Sequence, residues 1–271
     1  MLCCIRRCAI AVLLLLLPLA SARAQEASLV SLQTPRGAKQ AFILIKPQKP
    51  VAAVILFAGG HGALRLTSAS SMGWGAQNFV VRTRDKFARQ DFMVAVADAP
   101  SDYQSARGMN AIFRMSSGHT NDIGAIVNYL KKQANVPVWL VGTSMGTFSA
   151  ANGGIGLKNI DGIVLTSTIT RADPNWSIRQ SHPHGVASMR LSALTVPTLI
   201  LSHRNDGCAI TPASDTPKLT RALTKSRKVD VVLLDGGNAP KSEPCQALAQ
   251  HGFYGIEDQA VARIAQFIKS N

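Results

Sequence analysis

The sequence predicts an α/β protein: one mostly parallel, twisted sheet of about eight strands with helices on both faces. Three observations lead there. Strand-length apolar runs alternate with segments of helical spacing from residue 41 to the C-terminus, the pattern of a parallel sheet covered on both sides. No repeat, low-complexity stretch or Pro/Ser-rich linker divides residues 25–271, so one large domain is expected. Mid-chain, an apolar run ends in Gly142-Thr143-Ser144-Met145-Gly146 and passes into small residues, as a strand turning sharply into a helix would.

The N-terminus is read apart from the fold. Arg6 and Arg7 precede an apolar run over residues 9–20, and Ala22-Arg23-Ala24 follows it. This is the order of a secretory signal peptide cut after Ala24, so residues 1–24 are expected to be removed and residues 25–271 to form the domain. The apolar run is too short for a membrane span, which needs about 20 residues. No stable membrane insertion is therefore expected after cleavage, and the periplasm or the exterior is the expected destination. Whether Arg6-Arg7 marks twin-arginine export stays open.

Strand-like runs occupy residues 41–45, 51–57, 92–97, 136–141, 160–165, 198–202 and 229–234. The first two are short, β-rich and bounded by Pro and Gly, and the rest are apolar runs of strand length. Helical spacing occupies residues 76–89, 122–132, 144–154, 216–224 and 259–269. In residues 122–132 the apolar positions Ile123, Ile126, Val127 and Leu130 share one face. Thr120-Asn121-Asp122 is expected to open that helix. Asp98 ends a strand and is expected to bond nearby backbone. In a sheet of this kind the chemistry belongs to loops at the carboxyl ends of the strands.

The formal charge is +14, and removal of Arg6, Arg7 and Arg23 leaves it strongly positive. The Lys and Arg residues are scattered, with no basic run longer than Lys131-Lys132. This reads as a solvated surface, and no nucleic-acid partner is expected. Cys208 and Cys245 are the two cysteines outside the signal. In an oxidising compartment an isolated pair implies a disulfide.

Ser144 is the candidate nucleophile. In a G-x-S-x-G elbow the serine sits in a strained turn, and the residues two before and two after it must be tiny. Gly142 and Gly146 meet that need.

With this motif in its strand–turn–helix context, the chain resembles the α/β-hydrolase superfamily, nearest its compact exported esterase and dienelactone-hydrolase-like members. The resemblance implies a single domain with a nucleophile–acid–histidine order along the chain. The run Val196-Pro-Thr-Leu-Ile-Leu-Ser-His-Arg-Asn-Asp is similar to the family's late strand and acid loop, which makes Asp206 the acid. Asp215 and Asp230 are rivals, one at a helix start and one inside a strand. Among six histidines, His251 follows the final strand and precedes the last helix, the family's place for the base. His203 is expected to pack under the acid loop. His182-Pro183-His184 lacks an acidic partner, so no metal site is expected.

An oxyanion hole is implied between the N–H of Met145 and one from Ala58-Gly59-Gly60-His61-Gly62, a variant of the family's glycine-rich turn. The second donor stays open among Gly60, His61 and Gly62. A Cys208–Cys245 bridge would bring the Asp206 and His251 loops together, as a triad also requires. Only about 31 residues separate Leu165 from Val196, so little or no cap is expected. Trp74 and Trp176 are candidate walls of an open pocket.

These readings imply acyl transfer from a small ester-like substrate to water, with no cofactor. A peptidase or thioesterase on the same fold, and a binding protein on a hydrolase scaffold, remain the alternatives. Oligomeric state is not addressed by the sequence.

Overall fold

A computed structural model of the chain describes residues 26–271. The expected signal peptide lies outside the described residues. Eight strands form one sheet in the order β1-β2-β4-β3-β5-β6-β7-β8. They are β1 (Ala27–Gln33), β2 (Lys39–Ile45), β3 (Ala52–Phe57), β4 (Phe92–Ala97), β5 (Val138–Thr143), β6 (Gly162–Thr166), β7 (Thr198–His203) and β8 (Val229–Leu234). β1 pairs antiparallel with β2, and β2 antiparallel with β4. All later neighbours are parallel.

The central strands β3, β4, β5 and β6 are buried at every residue, hence their unbroken apolar runs. Alternation still decides which face each residue serves. Ala53, Ile55 and Phe57 of β3 join one core, with Val138 and Leu140 of β5. Ala52, Val54 and Leu56 join the other, with Trp139 and Val141. The first core is closed by helices α4 (Ser117–Gln133), α5 (Gly146–Gly156) and α6 (Thr216–Ala222). The second is closed by α1 (Phe79–Arg82), α2 (Arg84–Ala88) and α7 (Glu257–Lys269). A further short helix, α3 (Ala111–Arg114), lies before α4.

Several elements differ from the sequence reading, and α3 is one that it did not contain. β1 is absent from it: Leu29 is exposed while Val30 and Leu32 touch the core only partly, as befits an edge strand. The helix expected over residues 76–89 is two helices that meet at Thr83, whose hydroxyl donates to the Phe79 carbonyl at 2.7 Å. The helix expected to open at residues 120–122 begins at Ser117. Ser116 is its N-cap, the Oγ accepting from the His119 N–H at 3.1 Å. Asp122 lies inside that helix, where Arg36 pairs with it at 2.8 Å and also with Asp102. A charge partner from the β1–β2 turn therefore explains this aspartate.

Between Thr166 and Thr198 the described residues hold only two short 3₁₀ turns, Gly185–Ser188 and Leu191–Ala193. Among the described residues this stretch holds nothing of a cap domain's size. No helix among the described residues is long and apolar enough to cross a membrane.

Candidate active site

Ser144 sits between β5 and α5 with φ +52, the left-handed conformation that non-glycine residues avoid. Its N–H donates to the Thr166 carbonyl of β6 at 3.0 Å, and its carbonyl accepts from the Thr147 N–H at 2.9 Å. A Cβ at Gly142 would meet the Gly146 carbonyl, and one at Gly146 would meet the Phe57 carbonyl. Both glycines are thus required for the turn to fold against β3.

Asp206 lies in the loop after β7, its carboxylate fully covered. Oδ1 accepts from the Cys208 N–H at 3.0 Å. Oδ2 accepts from the Thr211 hydroxyl at 2.9 Å and from His251 Nδ1 at 3.0 Å. His251 is buried on a 3₁₀ turn ahead of α7, and the Ser167 hydroxyl donates to its carbonyl at 2.7 Å. With Nδ1 directed at a carboxylate, that nitrogen carries the proton and Nε2 is left as an acceptor. Ser144 and His251 line one cavity of about 600 Å³. No hydrogen bond joins the Ser144 hydroxyl to the ring, and such bonds commonly tighten only around substrate.

Cys208 and Cys245 form a disulfide, with Cα atoms 4.5 Å apart. It ties the Asp206 loop to the segment before His251. Cys245 is exposed at the cavity wall, while Cys208 is buried.

The loop after β3 faces Ser144. Gly59, Gly60 and His61 line its cavity, and Gly60 takes φ +55. The His61 ring rests on Trp74, with centroids 3.8 Å apart. Burial, then the charges of Arg65 and Arg114, lowers the His61 pKa from its ordinary value. A second cavity of about 420 Å³ adjoins the first across Gly60, His61 and Met145, with Ile112, Trp176 and Ile178 in its wall. Both tryptophans expected at the pocket are therefore there, one on each side. Neither wall contains an Asp, Glu, Lys or Arg.

The remaining residues have other duties. His203 Nδ1 accepts from the Asn205 N–H and its Nε2 meets the Gly236 carbonyl, under the acid loop as expected. Asp215 pairs with Arg171 and Lys218, and Asp230 with Lys228. His182 is within hydrogen-bond distance of Ser181, and His184 is exposed. Asp98 does bond backbone, but mostly far along the chain, accepting from the N–H groups of Leu64, Arg65, Leu66 and Ala99. Thr211 and Ser167 were not found from the sequence. A hydroxyl five residues after the acid carries no signal until the loop is folded.

The carboxyl-edge site, the left-handed serine and the strand order decide the architecture. The chain has the α/β-hydrolase fold. No family model matches the chain, and no curated protein matches its sequence. Solved structures do. An esterase of Pyrococcus furiosus aligns with a TM-score of 0.66 at 17% identity, over 91% of this chain and 91% of that one. Fungal esterases of Rhizomucor miehei give 0.62 at 13% identity, over 93% of this chain and 84% of theirs. An α/β serine hydrolase of Xanthomonas campestris described as lacking a lid gives 0.55 at 14% identity, over 88% of this chain and 95% of that one.

Proposed function

We propose that this α/β-hydrolase is an exported serine hydrolase that cleaves ester-type bonds of a small, uncharged molecule. The observation that carries the reading is that Ser144 and His251, from distant loops, line one cavity while Asp206, from a third loop, bonds the His251 ring from behind. His251 Nε2 takes the Ser144 proton as Oγ attacks the ester carbonyl. The oxyanion is received by the Met145 N–H and one from the loop after β3. His251 then gives its proton to the leaving alcohol, and the acyl group stays on Ser144. A water, deprotonated by the same nitrogen, releases the acid and restores the enzyme.

Asp206 orients the ring and offsets its positive charge during both steps, and Thr211 helps hold the carboxylate in place. The chemistry calls for no cofactor. Two uncharged cavities on either side of Gly60, His61 and Met145 suit a neutral ester whose halves extend in opposite directions. The esterase neighbours support the same reading.

The test is covalent labelling by a fluorophosphonate, with turnover of short-chain esters and of peptide substrates in parallel. Ser144→Ala should stay folded, lose labelling, and lose ester turnover by roughly 10⁴-fold or more. Undiminished labelling of the variant would dismiss Ser144 as nucleophile. Peptide cleavage without ester cleavage would move the protein to the peptidases. An unlabelled, inert wild type would leave a binding protein.

A further inference from the structure

Arg114, the last residue of α3, is fully buried, and the triad chemistry does not use it. Its guanidinium lies beneath the loop after β3. Nη2 donates to the Ala58 and Gly60 carbonyls at 3.3 and 3.2 Å, and Nη1 donates to the Ser149 hydroxyl at 2.8 Å. The loop wraps it closely, since a Cβ at Gly62 would collide with the guanidinium. Among the described residues no carboxylate pairs with it and its Nε has no acceptor. A buried cation without a counter-charge is costly, so its retention here calls for a reason.

The peptide bonds of this loop are trans, and in a trans peptide the C=O and the following N–H point in opposite directions. Holding the Gly60 carbonyl from below turns the His61 N–H away from Arg114. Arg114 lines neither cavity, whereas His61 lines both. The His61 N–H makes no hydrogen bond within the described residues. Among Gly60, His61 and Gly62, the peptide polarity favours His61.

We infer that Arg114 is a positioning residue that aims the His61 N–H at the oxyanion and lends its uncompensated charge to the anionic tetrahedral state. The inference rests on the serine hydrolase reading above. Its surroundings suit the task. The Ser149 hydroxyl accepts from Arg114 and is 2.9 Å from His119 Nε2. Burial, then the charges of Arg114 and Arg36, holds His119 down to about 3, so no second cation competes. Arg114 itself is lowered to about 9 by burial and is charged at neutral pH.

The test compares wild type, Arg114→Lys and Arg114→Met, with melting curves to establish folding. Turnover of a short-chain p-nitrophenyl ester is read as separate kcat and KM. Affinity is measured for an alkyl boronic acid, which becomes an anionic tetrahedral adduct, and for a neutral methyl ketone of the same chain length. In Arg114→Met, kcat should fall by about 10²-fold, the lower end for losing an oxyanion donor. KM should stay within about twofold, because substrate binding is not what is lost. Boronate affinity should fall with kcat and ketone affinity should not. Arg114→Lys, which restores charge without the fork, should recover part of the loss.

A folded Arg114→Met with wild-type kcat overturns the inference. So does equal loss of boronate and ketone binding, or failure of both variants to fold, which would make Arg114 purely structural. If the wild type neither labels nor turns over esters, the hydrolase reading itself has failed. A working wild type with an indifferent Arg114 leaves that reading standing.

Discussion

Ser144 is held at φ +52, a conformation that costs a non-glycine residue of order 1–3 kcal/mol. The surroundings sustain it: glycines on both sides, a bond to β6 and the start of α5. The same turn presents Ser144 to the cavity and leaves the Met145 N–H free of backbone partners. Asp98 does comparable work for the loop after β3, gathering three N–H groups from residues 64–66. His119 supplies a pH prediction at this scale. Its folded-state pKa is about 3, against an ordinary 6.5, because of burial and then the two arginine charges. Between those values the unfolded chain binds a proton that the folded chain refuses. Stability should therefore fall as pH drops below about 6.5, by up to about 1.4 kcal/mol per pH unit. Urea unfolding of wild type and His119→Gln between about pH 4 and 7 measures this. The variant's curve should be flatter on the acid side. Parallel curves would show that His119 does not account for the slope.

Among the elements, the loops after β7 and β8 matter most, because the disulfide joins them. Cys208 and Cys245 are 37 residues apart, and closing such a loop stabilises a fold by about 3–4 kcal/mol in the chain-entropy account. The bridge begins two residues after Asp206 and ends six before His251, so it also limits how far those side chains can drift apart. Reduction should lower the melting temperature and, separately, ester turnover at temperatures where the protein remains folded. A displacement on the order of 1 Å suffices for a 10²-fold loss. Cys245 is exposed, so a small reductant can reach the bond. Non-reducing peptide mapping checks the bond itself. If turnover is unchanged while melting shifts, the bridge serves stability alone.

For the whole molecule, the N-terminal signal pattern and the disulfide fit the proposed export. Cleavage after Ala24 is compatible with the fold, because β1 begins at Ala27 and the edge strand survives intact. N-terminal sequencing of the exported protein should begin at Gln25. A start within residues 28–33 would remove part of β1 and would contradict the proposed cleavage. The sheet is edged by half-exposed strands, with Leu29 in β1 and Val231 in β8 among the exposed large apolar residues. That exposure is why β1 has a weak sequence pattern: without a buried face on each side, it lacks the continuous apolar run that marks β3, β4, β5 and β6.

What the sequence determined by itself was whatever depends on local pattern. Unbroken apolar runs of strand length announced the doubly covered sheet, because a strand buried on both faces cannot alternate. Gly142 and Gly146 announced the serine turn, because only glycine fits where backbone meets backbone. Helix starts were less legible: Ser116 caps α4, but a polar run such as 116–122 offers several acceptable caps and tertiary packing chooses one. Asp206 and His251 were legible through the order of a known family together with the two cysteines. Their bond, and the part Thr211 takes in it, came only with folding, because the partners lie 40 and 45 residues apart. Arg114 was wholly hidden. An arginine in sequence reads as a surface charge, and only the tertiary structure puts this one under the β3 loop, where two carbonyls and a hydroxyl replace water around it.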